Sequence, residues 1–126
     1  MRKPLNQIGE TEMEILNIIW ELGEGSVSDV RDRMLEYRDV AYTTVMTILK
    51  NLADKGYLRY EERGRSYIYS PALKPEEVRS GLLGNLLEKV FKGSPKELVQ
   101  ALVQNENLSD ADRTEIRKMI EEMGDE

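Results

Sequence analysis

The sequence predicts a mainly α-helical chain carrying one small β-hairpin, and three observations predict it. In AYTTVMTILKNLADKG, residues 41–56, Val45, Ile48, Leu49 and Leu52 recur at helical spacing, leaving Thr43, Thr44, Thr47, Lys50 and Asn51 on the opposite face. The following YLRYEERGRSYIYSP reads as two short Tyr- and Ile-rich strands turned around Arg63, Gly64 and Arg65 and closed by Pro71. Beyond Pro71 tyrosine disappears and a leucine-rich helical pattern takes over. A polar-faced helix leading into a basic hairpin is the arrangement of a winged helix-turn-helix head, with the helix suited to the major groove and the hairpin tip to the phosphates. The expected organisation is therefore a winged head over residues 1–72 and a helical dimerisation region over residues 73–126, divided between Ala72 and Pro75.

Two helices precede the threonine-rich one. In GETEMEILNIIWELG, Met13, Leu16 and Trp20 line up with Ile15, Ile19 and Leu22, while Glu10, Glu12 and Glu14 crowd the first turn, where the helix dipole favours anions. Gly23 and Gly25 stop it. In SVSDVRDRMLEYRD, Ser28 is the expected N-cap, Val30, Met34 and Leu35 the buried side, and Val27 a small strand added to the hairpin sheet. Lys55-Gly56 reads as the end of the third helix, with the glycine free to take a left-handed cap.

The helix opening at Pro75 carries a wide stripe of Val78, Leu82, Leu83, Leu86, Leu87, Val90 and Phe91. Ser94-Pro95 opens another, with Leu98, Val99, Leu102 and Val103 as its apolar side. The last, Asp110 to Met123 behind a cap at Ser109, carries Ile116, Met119 and Ile120 and ends at Gly124. Three small helices make a poor independent core. A two-fold interface with a second copy would bury the stripe from both chains.

Composition narrows the function. The 126 residues contain no Cys and no His, which removes thiol chemistry, disulfides, imidazole bases and metal sites built on sulfur or imidazole. No cofactor and no metal is expected. The longest unbroken apolar runs are three residues, as at Ile18-Ile19-Trp20, and the opening MRKPLNQIGE has no apolar stretch behind its basic residues. The expectation is a cytoplasmic protein with no membrane partner. Net charge is −6, yet residues 42–71 hold five basic against three acidic side chains, a local excess of +2. A modest cluster duplicated by dimerisation suits DNA, because each phosphate contact releases counterions.

Each feature has a plainer reading. The threonines at 43, 44 and 47 would be mere solvated surface on an isolated helix, a reading that the adjoining wing displaces. Tyr57, Tyr60, Tyr67 and Tyr69 are assigned to sheet packing rather than base stacking. The pairs Glu61-Glu62, Glu76-Glu77 and Asp110/Asp112 lie at turns or helix starts, where solvation and dipole pairing explain them.

The order GETEMEILNIIW, SVSDVRDRM and TTVMTILKNLADKGYLRYEERGRSYIYSP resembles the penicillinase-repressor family of bacterial transcription regulators, often called BlaI/MecI. The strongest stretches are Thr44, Val45, Thr47, Leu49, Leu52, Lys55 and Gly56, and the wing's Gly64, Arg65, Tyr67 and Tyr69. The resemblance implies a homodimeric repressor on a palindromic operator, dimerised through its C-terminal helices. It places base reading at Thr43, Thr44 and Thr47, with Met46 and Lys50 on the same side; Tyr42, Arg63 and Arg65 complete the candidate DNA-binding set. Threonine suits the role, since its hydroxyl bonds base edges or phosphates while its methyl packs on thymine. Arg63 and Arg65 are assigned to backbone contact. Some members carry lysine where Thr43 and Met46 stand, so operator preference does not carry over. The implied dimerisation residues are Leu82, Leu83, Leu86, Leu87, Val90, Phe91, Leu98, Leu102, Ile116, Met119 and Ile120.

The resemblance also brings a regulatory peptidase as partner, because members controlling penicillin resistance are inactivated by cutting an Asn-Phe bond. That bond corresponds to Ala101-Leu102 here, which argues against cleavage by the same enzyme. Copper-responsive relatives use C-terminal cysteine pairs, which this chain lacks. Beside the repressor stand two alternatives: a winged-helix protein-interaction module without DNA binding, suggested by the acidic total, and an enzyme. Without His, Cys or a glycine-rich phosphate loop the last has no visible site.

Overall fold

A computed structural model of the chain describes residues 8–124; the basic opening segment noted above falls mostly outside them. The elements run α1 (Glu10–Leu22), α2 (Val27–Met34), α3 (Tyr42–Asp54), β1 (Leu58–Arg63), β2 (Ser66–Pro71), α4 (Pro75–Val90), α5 (Pro95–Val103) and α6 (Asp110–Gly124). This is the mainly helical fold with a single hairpin that the sequence predicts.

Helix α1 starts where the Gly9 N–H donates to Glu12 Oε1 at 2.7 Å, and it stops at Gly23, whose φ of 86° is left-handed. It buries Ile15, Leu16, Ile18 and Ile19, while Met13, Trp20 and Leu22 pack at the edge of the same cluster. The N-cap of α2 is Ser26, not Ser28. Ser26 Oγ accepts from the Asp29 N–H at 3.1 Å and the Ser26 N–H donates to Asp29 Oδ2 at 3.0 Å, a reciprocal pair that Ser28 lacks the spacing to make with Asp29. Val27 is consequently the first residue of α2 and buried, not a strand. The residue that joins the sheet is Gly25, bridged antiparallel to Tyr69. Leu35, expected inside, is 41% exposed, because α2 ends at Met34 and the chain turns away there.

Helix α3 buries Val45, Leu49 and Leu52 completely and half-buries Ile48. It ends at Lys55, and Gly56 takes a φ of 90°, the left-handed conformation open to glycine. The hairpin pairs Leu58 with Pro71 through to Arg63 with Ser66, leaving Gly64-Arg65 as a two-residue turn in which Gly64 is left-handed. Alternation puts Leu58, Tyr60, Tyr67 and Tyr69 on one face. Leu58 and Tyr69, at the hairpin root, are buried, as is Tyr57 just before it. Tyr60 and Tyr67, assigned to sheet packing, do pack edge-to-face on each other across the strands, ring centres 5.0 Å apart, but they lie beyond the buried core and are 55% and 50% exposed.

The first compact unit runs through Leu83, because the opening turns of α4 pack on the head: Val78 is fully buried in its core and Leu82 lies against it. Arg79 stacks over the Trp20 ring, its guanidinium carbon 5.4 Å from the centroid. The second unit, Gly84–Glu126, has capped helices and little interior. Ser94 Oγ accepts from the Glu97 N–H and Ser109 Oγ from the Asp112 N–H, yet α5 and α6 bury no residue. Among the described residues no helix is long and apolar enough to cross a membrane.

Candidate nucleic-acid interface

The outward face of α3 follows from its inward one. With Val45, Leu49 and Leu52 at zero exposure, 3.6-residue periodicity turns Thr43, Thr47 and Lys50 directly away from the core. Met46 falls on one flank and Thr44 and Asn51 on the other, all of them exposed. Thr43, Thr44 and Thr47 meet with Ile48 in a shallow surface hollow. The start of α3 differs from that of α2 in its N-cap, Ala41, which offers no side-chain acceptor, and from those of both α1 and α2 in a first turn that carries no acid. No acid of its own first turn therefore offsets the positive end of its dipole.

A second concavity lies between α3 and the wing. Tyr42 and Met46 form one wall, Arg65, Ser66 and Tyr67 the other, and Ser26 and Ser28 at the start of α2 close it. The structure thus unites Tyr42, Met46 and Arg65, three of the expected contact residues, and adds the serines and Tyr67, which sequence reasoning missed. The serines at the mouth of α2 carry no local signal beyond that of capping, and the tyrosine none beyond that of sheet packing. Among the described residues Arg65 makes no ion pair, and its side chain is exposed.

Arg63 is placed differently. Its NH1 and NH2 donate to the two Glu24 oxygens at 2.7 and 3.0 Å, its Nε donates to Glu61 Oε1 at 2.8 Å, and NH2 also reaches Glu61. The Arg63 guanidinium holds the Glu24 carboxyl below its usual range, and both carboxylates raise Arg63 further. Alternation sets Arg63 and Glu61 on the hairpin face opposite Tyr60 and Tyr67.

Two further ion clusters hold the helix-turn-helix rigid beneath this surface. Glu14 of α1 accepts from Arg38 NH2 at 2.7 Å and from the Tyr37 hydroxyl, pinning the turn that leads into α3; these bonds hold its carboxyl below the ordinary value. Glu12 takes Lys55 Nζ at 2.8 and 3.0 Å, tying the end of α3 to the start of α1. Burial works against the charged Glu12, and the bonds from Lys55 and Gly9 outweigh it, so its pKa too is lowered.

The expected dimerisation residues lie in two settings. Leu82 packs on the head. Leu83, Leu86, Val90, Leu102, Met119 and Ile120 are 42–61% exposed, and Leu87, Phe91, Leu98 and Ile116 are half-buried.

A helix-turn-helix whose third helix turns a threonine-rich face outward beside a hairpin with an exposed arginine at its tip defines a winged-helix DNA-binding protein. The penicillinase repressor family model matches residues 8–122, and the chain belongs to that family. It is a transcriptional repressor and not an enzyme. The chain is 25% identical over 114 residues to the methicillin resistance regulatory protein MecI of Mammaliicoccus sciuri, covering 90% of this chain and 93% of that protein. It is 23% identical over 120 residues to the penicillinase repressor of Bacillus licheniformis, covering 95% and 94%. Among solved structures it resembles the DNA-binding domain of the repressor BlaI, with 26% identity and a TM-score of 0.54 over 61% of this chain and 93% of that one. Monomeric Bacillus licheniformis BlaI in complex with the blaP half-operator gives 26% identity and a TM-score of 0.50 over the same shares.

Proposed function

We propose that this chain acts in the cytoplasm as a homodimeric repressor that occupies a palindromic operator, with α3 of each protomer in the major groove and the wing along the backbone. The observation that carries the reading is the split of α3 into a fully buried Val45-Leu49-Leu52 face and an exposed Thr43-Thr47-Lys50 face. Thr43, Thr44 and Thr47 then read base edges, with Lys50 and Met46 beside them. Tyr42 and Arg65, together in the cleft, position the backbone. The complex formed by BlaI, which this chain resembles, with a half-operator supports duplex DNA as the partner.

Residues 1–72 serve as the DNA-binding head and residues 73–126 as the dimerising region. Support for the second assignment is the apolar surface left open: α5 and α6 bury nothing, and large side chains from Leu83 to Ile120 face solvent. A two-fold contact between copies would cover such side chains on both chains at once. The Ala101-Leu102 pair lies within α5 and matches no Asn-Phe site, so release from the operator proceeds by a route other than that cut.

Selection of bound fragments from random duplex DNA, followed by footprinting, tests the proposal. Two related half-sites about one helical turn apart, or a multiple of that, are expected. Equal binding to all duplexes would remove the operator reading, and negligible affinity even at low salt would favour a protein-interaction module instead.

A further inference from the structure

The sequence offers two wing-tip arginines for the backbone, and the structure treats them oppositely. Arg65 sits in the cleft beside Tyr42 and Met46 with no ion-pair partner among the described residues. Arg63, two residues earlier, has four of its five N–H donors taken up by two carboxylates. We propose that Glu24 and Glu61 withhold Arg63 from DNA, so that the wing meets the backbone through Arg65 alone and its grip on any duplex stays weak. This rests on the DNA-binding reading above and adds to it two acidic determinants outside the recognition surface.

Three features carry the inference. Glu24 is presented by a fixed backbone: Gly23 before it is left-handed, and both backbone groups of Gly25 after it are bonded to Tyr69, at 2.9 and 2.8 Å. Its carboxylate meets the guanidinium in the two-pronged geometry that gives such pairs both strength and direction. The Arg63-Glu24-Glu61 group sums to one negative charge, and Glu62 follows directly in the chain. A phosphate taking Arg63 would exchange four charge-assisted bonds for one or two, and would leave two bare carboxylates facing it. Because the number of phosphates neutralised sets the salt dependence of nucleic-acid affinity, removing one cation from the count has a direct readout.

The test measures affinity for a random-sequence duplex and for a selected operator across a salt series, using the full chain and three variants, each checked for folding by its thermal melt. The R63Q variant is expected to keep the wild-type salt slope. The double variant Glu24→Gln/Glu61→Gln frees Arg63 and steepens the slope by roughly 0.9 per bound protomer, about a threefold larger loss of affinity between 50 and 200 mM salt. Adding Arg63→Gln to the double variant returns the wild-type slope. A flattened slope in R63Q alone would place Arg63 on phosphate already and overturn the proposal. So would a triple variant that keeps the double variant's gain, which would reduce the effect to relieved repulsion. Wild-type protein with no affinity for either duplex would instead sink the DNA-binding reading itself, and this inference with it.

Discussion

Gly25 and Tyr69 exchange both of their backbone hydrogen bonds, at 2.9 and 2.8 Å, and so join the turn between α1 and α2 to the second wing strand. The pairing fixes the wing against the helix-turn-helix, and hence Arg65 against α3. It also leaves little room for a side chain: a Cβ on Gly25 would lie 3.3 Å from Leu22 Cδ1, which would have to give by a few tenths of an ångström, and 3.4 Å from Asp29 Cβ. Gly25→Val is expected to cost about 1–3 kcal/mol through overcrowding, seen as a lowered melting temperature, with weaker DNA binding beside it. An unchanged melt would show that the turn yields without cost.

The two faces of α3 should separate stability from recognition. Leu49→Ala removes a fully buried side chain and is expected to cost about 2–5 kcal/mol in denaturant unfolding. Thr47→Ala, on the exposed face, should change stability by less than about 0.5 kcal/mol. It should nevertheless weaken operator binding more than random-duplex binding. Equal weakening on both duplexes would remove Thr47 from base reading.

Arg65→Gln should weaken all sequences alike and flatten the salt slope by roughly 0.9 for each phosphate that it no longer neutralises, in contrast to Arg63→Gln. Fluorescence anisotropy over a salt series reads this directly. An unchanged slope would mean that the cleft does not hold backbone.

Leu83→Lys places a charge in the exposed apolar surface and should shift sedimentation toward monomer while leaving the head's fold intact. Operator affinity should fall with dimerisation. A variant that stays dimeric would move the interface elsewhere on α4 to α6.

Acid should loosen the head through Glu12 and Glu14. Their folded pKa values lie below the ordinary 4.5, so the stability that they contribute is fully present above pH 4.5 and is lost as pH falls through the lowered values. Thermal melts should be flat from neutrality down to that point and decline below it. Glu14→Gln should shrink the decline; an identical decline would assign it to other carboxylates.

The elements are legible in the sequence because their signals are local. The period of Val45, Leu49 and Leu52 orients α3 without any tertiary information, and Gly64 between two Tyr- and Ile-rich runs marks the hairpin. The α2 cap is ambiguous from sequence, since Ser26 and Ser28 both precede the apolar positions; the reciprocal bond of Asp29, three residues after Ser26, decides it. Alternation assigns the tyrosines to one face but not the reach of the core beneath them, so Tyr60 and Tyr67 emerge in solvent where Tyr69 does not. The Glu24-Arg63 pair has no local signature at all, its partners being 39 residues apart. Charge counted along the chain credits Arg63 to the DNA surface; charge counted in space sets it between Glu24 and Glu61.

The stacking of Arg79 on Trp20 gives the molecule a built-in optical reporter. Trp20 is the only tryptophan, and it packs at the edge of the head's core where Arg79 of α4 covers its ring, so its emission senses that junction. Undocking of α4 would remove the cation from the indole and admit water to the ring, shifting and dimming the fluorescence. No label is required to watch the event, and the tyrosines of the wing, excited at shorter wavelength, supply a separate channel.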